Sequence, residues 1–348
     1  MIHSNSEGDI YIEEMPLLLV HLREEEKGAD ARLSEVLSYA LDGYAYETAT
    51  EISAFEDYVN RWRRLEKTQN RKNPVQGRIL FAVPLGTSGI NLELYRLIRF
   101  LREHPDFLNG FVGGLLVDSE NDLYSKSAAK DLVFAANCAG CAFVGRPLVE
   151  GTRTLSNYTI VSNNLGTDLM GAYRESAAGL VKEVLGTDCV RKKCPKVLVL
   201  HASSHKTSNT YAIWNRVKEQ LPEMEIREIG LRNGTLSDCA GCPYKMCLHF
   251  GEQGSCFYGG VMVEDVYPAV READAIVMLC PNYNDALSAN LTAFINRLTS
   301  LFRTTRFYDK ALFAVVVSGY SGSDIVAEQL IAALNMNKTF YLPGQFAM

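Results

Sequence analysis

The chain has 348 residues, enough for two domains, and its 47% hydrophobic and 22% charged content is that of a folded globular protein. A net charge of −6 excludes nucleic acid as a main partner, because phosphate backbones are bound by basic faces. No uninterrupted apolar run approaches the roughly 18 residues of a membrane span, and the polar, acidic start "MIHSNSEGDIYIEEM" is the opposite of a signal peptide, so a cytoplasmic protein is expected. The nine cysteines are then expected to be thiols or metal ligands, not disulfides.

In chain order, "PLLLVHLR" (16–23) reads as a strand, and "ARLSEVLSYAL" and "FEDYVNRWRRLE" as helices. "GRILFAVPLG" (77–86) is a strand followed by the helix "NLELYRLIRFLREH". The strand "GFVGGLLVDS", the helix "SAAKDLVFAANC" and the strand "CAFVGRPLVE" come next. An amphipathic helix, "LMGAYRESAAGLVKEVL" (169–185), runs into the charged linker "GTDCVRKKCP". The second half repeats the rhythm: "KVLVLHASS" (strand), a helix at 208–221 with Ser208 as its N-cap, and "MEIREIGL" (strand). A cysteine-rich segment then precedes the helix "VEDVYPAVREA" and the strand "AIVMLCP" (275–281). The helix "SANLTAFINRLTSLF", the strand "KALFAVVVSGY", the helix "SDIVAEQLIAALNM" and the strand "TFYLPG" complete it.

Strands that alternate with helices predict parallel sheets covered on both faces, that is, an α/β chain of two flavodoxin-like doubly wound domains. The expected domains are residues 1–190 and 195–348, the second carrying a cysteine-rich insertion at 237–257. The halves also resemble each other. With Pro84 laid on Pro281, Leu94, Leu97, Ile98 and Leu101 fall on Leu291, Phe294, Ile295 and Leu298 without a gap, and "AKDLVFAAN" (129–137) lies over "AEQLIAALN" (327–335). An internal duplication is expected, with the first copy structural or dimerising.

Ligands of doubly wound sheets bind beyond the carboxyl ends of the strands. The loop after the first strand of the second half, "HASSHKTSNT" (201–210), is rich in hydroxyls and opens into a helix N-terminus, which suits a phosphomonoester. Its counterpart, "HLREEEKGAD" (21–30), would repel one through Glu24, Glu25 and Glu26. "PNYNDALSAN" (281–290) and "SGYSGSD" (318–324) can offer backbone hydrogen bonds and aromatic faces to a planar heteroaromatic ring, so the cofactor site is expected in the second domain.

Taken together, "ASSHKTSNT" and "PNYNDALSANLTAFINRL" resemble the NADPH-dependent FMN reductase-like flavoproteins of the flavodoxin superfamily, in particular their iron–sulfur flavoprotein branch. The resemblance covers about residues 196–348. It implies FMN, with the phosphate near Ser203, His205, Ser208, Asn209 and Thr210. The ring would lie near Pro281, Asn282, Tyr283, Asn284, Gly319 and Tyr320. His205 stands where arginine is common. NAD(P)H or a ferredoxin-like protein is the implied electron donor, and a homo-oligomer fits the fold family.

"SDCAGCPYKMCLHFGEQGSCF" (237–257) places Cys239, Cys242, Cys247 and Cys256 in a C-x2-C-x4-C-x8-C pattern. The resemblance implies that such a segment holds a [4Fe–4S] cluster, although the family spacing is tighter. The alternatives are zinc, with His249 available as a substitute ligand, and free thiols on a loop that has lost its cluster. Cys138, Cys141 and Cys280 are expected to be buried; Cys189 and Cys194 show no ligand context. No side-chain pair reads as a necessary acid or base, so no catalytic residue is assigned. The sequence therefore predicts an FMN-dependent oxidoreductase. A non-enzymatic electron carrier and a cluster-free quinone or free-flavin reductase are its alternatives.

Overall fold

The computed structural model describes residues 15–23, 27–68, 76–188, 192–203 and 208–347. The chain divides into two compact units, Met1–Asp188 and Cys189–Met348.

The first unit runs β1 (Leu17–His21), α1 (Lys27–Ala40), β2 (Tyr46–Ala49), α2 (Ile52–Thr68), β3 (Gly77–Leu85), α3 (Leu92–Glu103), β4 (Phe111–Ser119), α4 (Ser125–Cys138), β5 (Ala142–Gly151), α5 (Thr159–Leu165) and α6 (Leu169–Gly186). Its five strands are all parallel, in the order β2-β1-β3-β4-β5. This is the flavodoxin order. β4 is buried along its whole length, as a strand sandwiched between helical layers must be. The α1 and α6 helices pack together and against the sheet, while α3 packs on α4. The strand β2, "YETA", was not legible in the sequence: only Ala49 of its four residues is buried, so this edge strand carries no apolar run.

The second unit runs β6 (Lys196–His201), α7 (Asn209–Lys218), β7 (Glu225–Gly230), α8 (Tyr244–Glu252), α9 (Tyr267–Glu272), β8 (Ala275–Pro281), α10 (Ala289–Phe302), β9 (Ala311–Val317) and α11 (Ser323–Leu330). The ladder order is β7-β6-β8-β9, again fully parallel and topologically the same as the first four positions of the other sheet. Trp214 of α7 is 2% exposed and packs on Val197, Val199, Val277, Leu279 and Val315.

One expected strand is corrected. "TFYLPG" does not join the sheet as a strand; residues near it touch β9 only through isolated bridges, Ala311 with Tyr341 and Ala314 with Ala347. Pro343 has no N–H to donate, which interrupts a ladder at that point.

The likeness between halves survives in three dimensions. Leu94, Leu97, Ile98 and Leu101 are all buried, and so are Leu291, Phe294, Ile295 and Leu298. Asn137 and Asn335, superposed by the sequence alignment, are both buried. Each donates its amide to the carbonyl of a following turn: Cys141 O at 3.0 Å and Phe340 O at 2.7 Å. These matched features fit an internal duplication. Cys141 and Cys280 are buried as expected, but Cys138 is exposed: it is the last residue of α4, and the helix turns it outward. Cys194 is exposed, and Cys189 lies outside the described residues.

Candidate functional site

In the second sheet the strand order reverses between β6 and β8, so their carboxyl ends and that of β9 define one rim. The loop after β8 is built by a tight turn. Tyr283 bridges to Ala286, and Asn284 and Asp285 between them have φ of 56° and 54°. Asn and Asp are among the few side chains that tolerate two such positions in succession. The side chain of Asn282 then ties this turn to the loop after β9. Its Nδ2 donates to Ser318 Oγ at 3.1 Å, Ser321 O at 2.9 Å and Asp285 Oδ1 at 3.2 Å. Gln329 of α11 clamps the other side, accepting from Leu287 N at 3.0 Å and donating to Asp285 O at 3.1 Å. Gly322 is required here: its φ is 85°, and a Cβ would lie 1.9 Å from Asp285 Oδ1.

Around this scaffold stand polar atoms with nothing to bind. Asn282 Oδ1, Ser288 Oγ and Ser203 Oγ are buried and lack hydrogen-bond partners. Buried polar atoms are ordinarily paired, so an orphaned set at one sheet edge is available to a ligand. Tyr283 is 63% exposed and Tyr320 fully exposed, which leaves two aromatic faces free beside them. Pro281 ends β8, and Asn284 and Gly319 are exposed in the two loops. Ser208 caps α7, accepting from Tyr211 N at 3.2 Å, while Thr210 is buried in the first turn and Asn209 is exposed. His205, with Ser204, Lys206 and Thr207, lies outside the described residues. Asp285, Ser288, Ser318 and Gln329 were missed in the sequence; only Ser288, directly before an apolar-periodic helix, gave a local signal, that of an N-cap.

The first unit handles the same edge differently. Asn91, which aligns with Ser288, is 1% exposed and fully used: it caps α3 by accepting from Leu94 N at 3.0 Å and donates to Pro84 O at 2.8 Å. The N-terminus of α1, where a phosphate would sit in the second unit, holds the chain's own carboxylate: Glu120 Oε1 accepts from Ala29 N at 3.1 Å. Glu24, Glu25 and Glu26 lie outside the described residues. Arg32 forks onto buried Asp118 at 2.7 and 2.9 Å, closing the edge further.

The cysteine segment contains a helix, α8, that the sequence did not suggest, and it lies along α10. Asp238 Oδ1 accepts from Asn296 Nδ2 at 3.0 Å, Ser255 O from Ser300 Oγ at 2.6 Å, Gly251 O from Thr304 Oγ1 at 3.2 Å and Gly259 O from Arg297 Nη2 at 2.8 Å. Gly251 permits the contact, since a Cβ there would meet Ser300 O at 2.6 Å. Asn290 Nδ2, in the first turn of α10, holds Leu231 O at 2.7 Å and Asn233 Oδ1 at 2.9 Å. The helix that begins at the Asn282 loop thus anchors the cysteine segment too. Cys239, Cys242 and Cys256 lie around Tyr258, and Cys256 and Cys247 around Tyr267. Burial, then the neighbouring Cys242, raises the Tyr258 hydroxyl above its ordinary value. Among the described residues no three Cys, His, Asp or Glu side chains converge as a single ion demands, and His249 faces Gln253 at 3.1 Å.

Residues 195–348 match the NADPH-dependent FMN reductase family. Among solved structures, the chain is similar to RosB with bound intermediate OHC-RP (8-demethyl-8-formylriboflavin-5'-phosphate), at 15% identity and a TM-score of 0.36. That match covers 44% of this chain and 64% of RosB, under two thirds of its length. It is also similar to Smu.1420 from Streptococcus mutans UA159, at 14% identity and a TM-score of 0.33, covering 41% of this chain and 80% of that one. No curated protein matches the sequence. The second unit is therefore similar to the NADPH-dependent FMN reductases, as the loop motifs implied, and no helix among the described residues is long and apolar enough to cross a membrane.

Proposed function

We propose that the protein is an FMN-dependent oxidoreductase that moves electrons from NAD(P)H, or from a ferredoxin-like donor, to an acceptor through a flavin on the second unit. The observation that carries this reading is the trio of orphaned buried atoms, Ser203 Oγ, Ser288 Oγ and Asn282 Oδ1, on the rim of a domain that matches the FMN reductase family. Bound FMN supplies the hydride and single-electron chemistry.

The chain's part is to bind and orient. Ser203 would hold the phosphate with its hydroxyl at the N-terminus of α7, and Ser208, Asn209, Thr210 and His205 would complete the same loop. Asn282 offers Oδ1 as an acceptor for a ring N–H while its Nδ2 keeps the two loops together. Pro281, Asn284 and Gly319 shape the rim, and Tyr283 and Tyr320 cover ring faces. No side chain holds or moves a proton at the rim in this reading.

Cys239, Cys242, Cys247 and Cys256 hold a [4Fe–4S] cluster in the same proposal. Such a cluster would take four thiolates from this segment, and what supports it is the presence of four cysteines there, with Cys239, Cys242 and Cys256 acting on the Tyr258 hydroxyl and Cys256 and Cys247 on that of Tyr267. Among the described residues three donors do not converge, which favours, as a second reading, a cluster-free quinone or free-flavin reductase with four thiols on this loop. The first unit serves as a structural or dimerising copy, and the working protein is a homo-oligomer.

Anaerobic purification followed by absorption spectroscopy, FMN titration and iron and sulfide analysis tests this. Flavin bands with about four irons per chain support the full proposal. Flavin without iron supports the second reading, and a protein that ignores FMN overturns both. NAD(P)H oxidation at steady state separates an enzyme from an electron carrier.

A further inference from the structure

The carboxyl edge of the first sheet is satisfied from within, yet its outer surface is apolar. Ile90, Leu92, Tyr95, Leu123, Tyr124 and Ile160 are each between 50% and 74% exposed. They come from three stretches of chain that meet at this edge. Leu92 and Tyr95 stand three apart on α3, and α3 packs on α4, which Leu123 and Tyr124 precede. The Tyr124 ring rests on Gly89, the neighbour of Ile90: a Cβ on Gly89 would lie 2.4 Å from it. Leu123 and Tyr124 also line a cavity of about 450 Å³ together with Ser156 and Asn157, which lead into α5 and Ile160. α5 itself buries none of its residues.

Tyr124 shows that the aromatic surface is held in place against a cost. Its φ is 75°, left-handed backbone that a bulky side chain rarely takes. The alignment that lays residues 129–137 over 327–335, carried back without a gap, puts Tyr124 on Gly322, whose φ is 85°. The second unit meets that backbone with glycine; the first keeps a tyrosine there and leaves its ring half in water. Backbone outliers of this kind gather at functional sites. The polar groups of the cavity are already paired with one another. Glu150 accepts from Ser125 Oγ at 2.8 Å and pairs with Lys126 at 3.5 Å, Asp122 accepts from Thr154, and Thr152 donates to Asn157. A polar small molecule gains little from such a wall, whereas an apolar side chain gains burial against Leu123 and Tyr124.

Six side chains of this size and exposure present roughly 600 Å² of apolar surface, the upper limit of patches on monomers, and most of the roughly 800 Å² that each partner gives to a standard interface. The charges that border the patch balance. Glu93 is paired with Arg96 and Glu150 with Lys126, and exposed Asp122 is offset by exposed Arg153. A surface that meets its own copy across a two-fold axis must not carry one sign of charge, and this one is neutral in a chain of net charge −6. We infer that this edge of the first unit is an isologous interface, covered by the same edge of a second copy of the chain. This rests on the reading of the first unit as a dimerising copy and names the surface that does it.

Sedimentation velocity of the full-length protein over a range of concentrations tests this, with wild type set against Leu92→Glu, Leu123→Glu, Ile160→Glu and Tyr124→Gly. Tyr308→Glu, at an exposed aromatic of the second unit, is the control. Wild type should be a dimer, and each edge variant should dissociate about tenfold or more readily, because it buries a carboxylate or removes an aromatic anchor. Circular dichroism and thermal melts identify the folded variants. If the glutamate variants do not fold, Tyr124→Gly decides, since glycine suits that backbone: a weakened dimer supports the inference, and a lowered melting temperature with unchanged dissociation overturns it. Equal weakening by Tyr308→Glu also overturns it, as a general effect of added charge. Folded edge variants that stay as dimeric as wild type overturn the inference and leave a homo-oligomer built through another surface. Wild type that is monomeric at every concentration overturns both and leaves the edge to a different protein.

Discussion

The side-chain amide of Asn282 donates to the backbone carbonyl of Ser321 at 2.9 Å, joining the loop after β8 to the loop after β9. The same amide reaches Ser318 and Asp285, so one side chain holds the rim in shape while its oxygen stays free. Asn282→Ala removes both functions. We expect FMN to bind about tenfold or more weakly, a loss of about 1–2 kcal/mol, read by flavin fluorescence titration. Gln329→Ala, which loosens the turn without touching the free oxygen, should cost less.

Ser203 should matter for the phosphate and not for the ring. Ser203→Ala is expected to weaken FMN about ten- to a hundredfold, the worth of a hydrogen bond to a charged group, and to leave riboflavin affinity unchanged. Equal losses for both ligands would place Ser203 outside the phosphate site.

Glu228 predicts a pH dependence of stability. Burial alone would push its carboxyl up, but hydrogen bonds from Lys218, Tyr211 and Trp214 outweigh that and hold it below its ordinary value. Its contribution is therefore complete above the unfolded value of about 4.3 and is lost as pH falls through the lower folded one. At the other extreme, the bond to Glu228 and burial push Tyr211 up to about 12. The unfolded tyrosine ionises near pH 10, so stability declines again from there toward the folded value. Glu228→Gln should flatten both limbs in urea melts taken across pH.

Arg32 and Asp118 form the opposite kind of pair. Asp118 is completely buried, which pushes its carboxyl up, while the Arg32 fork pulls it back. Arg32→Met leaves that carboxylate without its counter-charge and should destabilise the first unit by about 3–5 kcal/mol in denaturant unfolding. Arg32→Met with Asp118→Leu should recover most of the loss.

Gly251 tests the docking of the cysteine segment. Because a Cβ would meet Ser300 O at 2.6 Å, Gly251→Ala must push α8 away from α10. Overpacking of this kind costs about 1–3 kcal/mol, and thiol-reagent labelling of the segment in the metal-free protein should accelerate. Unchanged labelling would show that α8 moves without disturbing the cysteines.

The sequence by itself determined the alternation of strands and helices, the matched stripes of α3 and α10 and the Ser208 cap. Each is written in a window of a dozen or so neighbouring residues, because apolar periodicity and capping are local. It did not show β2, whose single buried residue makes no pattern, nor α8, hidden among cysteines and glycines. The loops already pointed to the second domain; only tertiary structure showed how the two rims differ. Asn91 and Glu120 satisfy the edge of the first unit from within, whereas Ser288 and Asn282 keep buried oxygens unpartnered in the second. It also decided that Gln329 clamps a turn more than 40 residues earlier and that Arg297 lies buried against the segment of Cys256. Hydrogen bonds and charges of this kind depend on which strand ends are neighbours and which helix a loop lies upon. Strand order and helix docking bring those groups together across long stretches of chain, beyond the reach of any local pattern.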